Sequence, residues 1–427
     1  MSFLTSRAFP TALQTVGIIA FGYIIYIGLF GSPLAGKNFA SALTWILWWP
    51  GVVFTFILIG RAWCSVCPLG ALSAAAQRFG LGRAFPRLLR GVGLSIFLFI
   101  LVTWSNHYFQ IVTNPRATAW FMALWLFLAL AVGFVFERRS WCRYACPIGA
   151  LFGVYSMTSL LELRPKREVC ARCGSPLCLT GDGKEEGCPM GEFPGNMGSN
   201  RNCTYCMKCL KTCPSGSMTF RWRSPWKELT SIRRPLAGEA LLAVVILGLV
   251  AFDTFVMVAP FRQLYRALFL ALPTSNPEVG MVLIFLLLLA TPLALYAAAS
   301  KVASRSLGLG FWPAFASFGY AYIPLALAGH LGHNFFHLVG EGGGGANTIL
   351  ATFGVYTRFP TSLLSTEAIK GLQILTMGLG ITLSIYVAYR IARSRGAPRA
   401  ALPHILLILL LASSLLFLLS LPMGMRH

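Results

Sequence analysis

The chain has 427 residues, of which 56% are hydrophobic and only 11% charged. Soluble domains carry about 25% charged residues, so a wholly soluble protein is excluded and a membrane protein with a modest soluble part is expected. The formal net charge of +22 does not indicate nucleic-acid binding, because the positive residues flank apolar stretches, where Lys and Arg set membrane orientation.

Nine apolar stretches come near the length of about 20 residues that crosses a hydrocarbon core. They are 11–31, 39–60, 91–112, 117–136, 236–258, 279–300, 311–339, 368–391 and 402–421. The first has no small-residue cleavage site after it, so no cleaved signal peptide is expected. The seventh is long and holds Pro324 as a candidate kink. Arg61, Arg78, Arg83, Arg87 and Arg90 follow the second stretch, and Arg138, Arg139 and Arg143 follow the fourth. Lys301 and Arg305 follow the sixth, and Arg390, Arg393, Arg395 and Arg399 the eighth. If the spans alternate, these loops share one side, and the positive-inside rule makes that side cytoplasmic. The segment Gly340–Tyr356 is rich in glycine and reads as an external loop, with no lysine or serine context for a phosphate cradle.

The twelve cysteines fall into three groups. Cys64 and Cys67 lie in Arg61-Ala-Trp-Cys-Ser-Val-Cys-Pro-Leu-Gly-Ala-Leu72, and Cys142 and Cys146 lie in Arg139-Ser-Trp-Cys-Arg-Tyr-Ala-Cys-Pro-Ile-Gly-Ala-Leu151. The two segments are an internal repeat. Each follows an even-numbered span and opens an apolar, interfacial helix, which suggests a pseudo-symmetric four-helix half. Neither pair alone can close a [4Fe–4S] site. Together they supply four thiolates, and three readings stand: a shared further metal centre, a dithiol redox pair, or a structural role.

Cys203, Cys206, Cys209 and Cys213, followed by Pro214, form a complete C-x2-C-x2-C-x3-C-P run. Cys170, Cys173, Cys178 and Cys188, followed by Pro189, form a looser one, with Leu179–Gly187 inserted. Two-cluster ferredoxins exchange their fourth ligands. One cube would therefore take Cys170, Cys173, Cys178 and Cys213, and the other Cys203, Cys206, Cys209 and Cys188. Four cysteines also suit tetrahedral zinc, but paired runs that end in proline favour iron–sulfur. Thiolates awaiting a cluster need a reducing compartment, which again places this segment in the cytoplasm.

Beyond the cysteines, His330, His333 and His337 share one face of the seventh span, about 10 Å from first to last at 1.5 Å rise per residue. His107 ends the third span on the same side, and Glu341 follows the histidine face. Ionisable residues in a membrane span are functional by default. One could ligate haem b or accept a proton from a quinol, whereas helix-to-helix polar contact would need a single histidine. His404 and His427 carry no expected chemistry.

The two C-x2–3-C-P motifs and the ferredoxin runs that follow them resemble the membrane polyferredoxins of the NapH/NosR type, and more distantly the copper-oxidase accessory protein CcoG. The resemblance covers about residues 1–235 and leaves spans five to nine outside it. It departs at Cys64-Ser-Val-Cys67, where the family carries C-x3-C-P. It implies electron passage between the quinone pool and periplasmic reductases, or support of cofactor maturation. The flavin-binding periplasmic domain of the larger members is not expected here.

The expected fold is a mainly α-helical polytopic membrane protein of about nine spans with an inserted small α+β two-cluster ferredoxin domain. Its parts are a four-helix membrane half (1–164), a cytoplasmic 2[4Fe–4S] domain and linker (165–235), and a five-helix membrane half with the histidines (236–427). The expected role is an electron-transfer subunit in the inner membrane, working with the quinone pool and other subunits of a redox complex. The alternative is an accessory factor that reduces a metal or thiol for a partner enzyme. A third reading is an anchor whose clusters only hold the fold.

Overall fold

A computed structural model describes residues 2–137, 139–271 and 278–422. Arg138 and His427, both used above, lie outside the described residues. The chain opens with α1 (Thr11–Phe30), α2 (Phe39–Ile59), α3 (Pro68–Gln77), α4 (Gly93–Tyr108), α5 (Pro115–Val135) and α6 (Pro147–Ser156). Strands β1 (Leu161–Pro165) and β2 (Met218–Trp222) bracket the cysteine-rich segment. Then come α7 (Ala237–Phe255), α8 (Ala259–Ala271), α9 (Glu278–Leu307), α10 (Phe311–Gly340), α11 (Gly342–Thr352), α12 (Thr366–Arg393) and α13 (Pro398–Ser420).

Eight described helices are long and apolar enough to cross a membrane: α1, α2, α5, α7, α9, α10, α12 and α13. The protein is thus a helical polytopic membrane protein. The third expected span differs. Its helix, α4, has 16 residues, about 24 Å at 1.5 Å per residue, against a core of about 30 Å. Gly91 at φ 122° precedes it and Gln110 at φ 51° follows it, and both conformations lie outside a helix.

The described chain forms two compact units. The first holds residues 1–33, 55–99 and 115–232. In it α1 and α3 both pack on α5. Helices α3 and α6 begin at Pro68 and Pro147, because proline lacks the N–H that a first helical turn leaves unused. Cys67 and Cys146 are therefore their N-caps. Strands β1 and β2 pair antiparallel, from Leu161 opposite Trp222 to Pro165 opposite Met218. This closes the base of the ferredoxin segment over a small core of Phe9, Leu163, Tyr205, Met207 and Met218.

Arg223, just past β2, anchors that segment to the end of α6. Its Nη2 donates to the carbonyls of Ser156 (2.8 Å) and Met157 (3.0 Å), and its Nε donates to Ser159 O (2.8 Å). Its Nη1 pairs with Glu228, which is buried with it. Removing one partner of a buried pair strands the other charge. Arg223→Ala is expected to destabilise this unit by about 3–5 kcal/mol, seen as a lower unfolding midpoint in detergent.

The second unit holds residues 34–54, 100–114 and 233–427. Helices α7 and α10 are its most buried helices, in contact with each other. Their approach depends on Gly319, where an added Cβ would lie 2.1 Å from that of Ala240. Small residues permit such crossings in lipid, where apolar burial does not drive helix association. A 3-10 turn at Gly319–Tyr322 precedes Pro324, and the last turn of α10, Phe336–Gly340, is π-helical. The stretch after it is not the expected external loop. Its glycines form α11, and a Cβ at Gly343 would lie 1.9 Å from Pro360 O. Close backbone packing, which only glycine allows there, holds the helix in place.

Candidate iron–sulfur centres and histidine site

Within the ferredoxin segment the cysteines line two cavities. One is lined by Cys188, Cys203, Cys206 and Cys209, the other by Cys170, Cys173, Cys178 and Cys213. Pro194 lines both. Each cavity thus draws three cysteines from one run and the fourth from the other. The loop around Cys206 bends through left-handed backbone at Tyr205 (φ 51°) and Met207 (φ 61°). Such conformations cost energy in non-glycine residues and persist where surroundings impose them. Here Tyr205 Oη donates to Leu161 O at 2.5 Å and accepts from Asn200 Nδ2 at 3.0 Å.

Among the described residues no three His, Cys, Asp or Glu side chains converge closely enough to hold a single metal ion. A mononuclear zinc site needs such convergence, with sulfur about 2.3 Å from the metal. Cysteines spread around a cavity suit a larger, cube-shaped group. Burial pushes the Cys203 thiol up to about 12 and raises Cys188 and Cys209 as well. A cationic iron core would relieve that cost, because a metal deprotonates its thiol ligands.

The four membrane-edge cysteines also come together. Burial, then Cys64 and Cys142, push the Cys67 thiol up to about 12. Burial, then Cys142, Cys67 and Cys64, raise Cys146. Cys67 accepts from the amides of Gly70 and Leu69, and Cys146 Sγ accepts from Gly149 N at 3.2 Å. Both sulfurs therefore sit at helix N-termini, where amides face an anion. The repeat places Gly70 and Gly149 in equivalent positions. A Cβ at Gly149 would lie 3.0 Å from Arg61 Nη2 and 3.1 Å from Cys142 O, so a larger residue would have to push Arg61 and the Cys142 carbonyl aside.

Arg61 runs through this centre. It is buried, with Nε donating to Cys64 Sγ (3.3 Å), Nη2 to Cys142 O (2.9 Å) and Nη1 to Arg201 O (3.0 Å). Burial lowers its pKa, but the Cys64, Cys142 and Cys146 sulfurs raise it, and the net direction is up. From sequence Arg61 is an orienting loop charge and an arginine flank that suits a site holding negative charge; its direct bond to Cys64 Sγ is what the fold adds. Arg201, its third acceptor, is 140 residues away, and no local signal predicts that contact.

In the second unit, His107 Nε2 bonds Asp253 Oδ1 at 2.8 Å, and His337 Nδ1 bonds Glu341 Oε2 at 2.8 Å. His333 Nδ1 bonds Thr254 Oγ1 at 3.1 Å, and its ring meets that of His337 edge to face, 5.0 Å between centroids. His330 lies against the Trp49 ring at 5.7 Å. All three α10 histidines and Glu341 are buried. Asp253 was missed from sequence, although a carboxylate near the end of an apolar span is itself a signal. His404 lies elsewhere in the unit, bonded to Tyr322 Oη at 3.0 Å and stacked on Phe318.

The family model that matches the chain is described as a 4Fe-4S binding domain, over residues 41–87 and 118–167. Those ranges hold Cys64, Cys67, Cys142 and Cys146, the membrane-edge set. Among known proteins, YccM of Escherichia coli (strain K12), named for electron transport, is 32% identical over 198 residues, 40% of this chain and 53% of its own length. The ferredoxin-type protein NapH of the same strain is 26% identical over 197 residues, 39% of this chain and 65% of its length. The protein NirI of Paracoccus denitrificans (strain Pd 1222) is 29% identical over 200 residues, 39% of this chain and 28% of its length.

Over about 40% of its length the chain is similar to these electron-transport and ferredoxin-type proteins. It carries an iron–sulfur-binding domain set among membrane helices. The match to YccM spans about half of that relative's length. No solved structure matches the chain.

Proposed function

We propose that this protein moves electrons between the membrane quinone pool and a cytoplasmic-side iron–sulfur domain, as a subunit of a respiratory complex in the inner membrane. The observation that carries the reading is the pairing of histidines with carboxylates, half-buried His107 with Asp253 and buried His337 with Glu341, in a protein that also gathers twelve cysteines. Oxidation of a quinol releases two protons and two electrons. Each histidine–carboxylate pair can take one proton, with the carboxylate stabilising the imidazolium that forms. Names of relatives that refer to electron transport and to ferredoxin-type proteins agree with the redox side of the reading.

Iron–sulfur centres carry electrons one at a time. The cysteines that would hold them are Cys170, Cys173, Cys178 and Cys213; Cys188, Cys203, Cys206 and Cys209; and Cys64, Cys67, Cys142 and Cys146. Arg61 joins the membrane-edge set to the second of these groups, because Arg201, whose carbonyl it holds, lies two residues before Cys203. The first group is the most open, with Cys173 exposed, and is the natural exchange end for a partner subunit. Arg138, Arg139 and Arg143, in the segment that leads from α5 into the ferredoxin segment, support a cytoplasmic placement of that segment through the positive-inside rule.

Anaerobically purified protein is expected to show no Soret band, and its iron–sulfur paramagnetic signals are expected to respond to added quinol. A Soret band lost on substitution of His330 or His333 would replace the quinone with haem b. Signals that respond to dithionite but not to quinol would overturn the quinone reading.

A further inference from the structure

Arg61 is a buried cation whose charged neighbours are thiols. Its side chain is 3% exposed. Among the described residues no carboxylate forms an ion pair with it; its polar contacts are Cys64 Sγ and the carbonyls of Cys142 and Arg201. A guanidinium stays charged in a protein, and an unpaired buried charge is costly. Carbonyl dipoles only partly offset it, so its counter-charge must come from the sulfurs. The repeat supplies a partial counterpart. Arg139 stands where Arg61 stands in the first copy, its charge acts on Cys142, and its Nη1 would lie 3.8 Å from a Cβ at Gly70.

We propose that Arg61 is the fixed counter-charge of the membrane-edge cysteine centre and sets its reduction potential. The proposal rests on the reading that Cys64, Cys67, Cys142 and Cys146 together hold an iron–sulfur centre. Four thiolates bring more negative charge than the iron core cancels, and each electron added brings one more. A positive charge within hydrogen-bond reach of one sulfur stabilises the reduced form over the oxidised form. Hydrogen bonds to ligand sulfur and local charge are the means by which a protein tunes such centres. Arg61 is a positioning residue that acts through Cys64. Its bond to Arg201 O also makes it a clamp, so the test must separate charge from packing.

The test uses the whole chain, purified anaerobically, as Arg61→Gln and Arg61→Lys variants, in redox titrations followed by paramagnetic resonance. A Cys64→Ser/Cys142→Ser variant identifies which signal belongs to the membrane-edge centre. If that variant keeps every signal and all its iron, the four-cysteine reading itself fails. Otherwise, Arg61→Gln is expected to move the membrane-edge signal to a lower potential and leave the other signals in place. Arg61→Lys, which keeps the charge without the planar fork, is expected to stay near the parent value. An unmoved membrane-edge potential in Arg61→Gln overturns the proposal. Should Arg61→Gln lose the centre, retention in Arg61→Lys at near-parent potential supports the counter-charge. Loss in both variants overturns it in favour of a clamp that depends on the fork.

Discussion

Replacing Cys64 and Cys142 together with serine is expected to lower the iron and sulfide content by about four of each per chain, while the signals of the ferredoxin segment persist. The reason is geometric. Neither cysteine pair can complete a four-iron site alone, but Arg61 binds Cys64 Sγ with one nitrogen and Cys142 O with another. The two copies of the repeat therefore face each other across one guanidinium. Removing one sulfur from each copy leaves two thiols, too few for a cubane. The serine hydroxyls are about as small as the thiols they replace, so packing around α3 and α6 survives.

The competing dithiol role makes a different demand. Exchange-active cysteines have lowered pKa values, because the thiolate is the nucleophile. Burial and the neighbouring sulfurs instead hold the Cys67 thiol near 12 and raise Cys142 and Cys146. At pH 7 a thiol of that kind is ionised about once in 10⁵ molecules. Such sulfurs are poor reductants for a partner's thiol, yet good ligands once a metal replaces the proton. Unchanged iron and sulfide in the double variant, together with rapid alkylation of the parent protein, would reverse this preference.

The cysteine groups were legible in the sequence because metal ligation imposes spacing, and spacing survives in one dimension. The proline after Cys67 and the one after Cys146 likewise announced α3 and α6, since a helix start has a local chemistry. Three features were not legible for a common reason: their causes are distant in sequence. Asp253 and its partner His107 are 146 residues apart. Arg61 gains its meaning only when Cys142 and Arg201 arrive beside it. The glycines of α11 look like a loop, because isolated glycine disfavours helix. In the fold they are what lets Pro360 and Ile46 approach, an added Cβ at Gly345 lying 2.9 Å from the Ile46 side chain. The third span misled in the other direction. Its apolar run is long enough, but Gly91 and Gln110 take backbone conformations that cut the helix to 16 residues.

Asp253→Asn is expected to slow quinol-driven reduction of the iron–sulfur signals by about 10²–10⁴-fold, the usual worth of a positioned acid–base group, while dithionite reduces them as before. Asparagine keeps the size of the side chain and can still accept a hydrogen bond from His107. It cannot balance a positive imidazolium in an apolar helix bundle, and it is that charge, not the hydrogen bond, that proton acceptance requires. His107→Gln is expected to reproduce the defect, because it removes the proton acceptor while leaving Asp253 in place. Glu341→Gln tests the second pair in the same way, through His337. His404→Gln serves as the contrast: His404 packs among Tyr322, Phe318 and Tyr296, none of which belongs to either pair, so quinol-driven reduction is expected to match the parent. Parent-like rates in both Asp253→Asn and His107→Gln, with iron content intact, would remove this pair from the quinol chemistry. The quinol reading would then rest on the α10 histidines and Glu341.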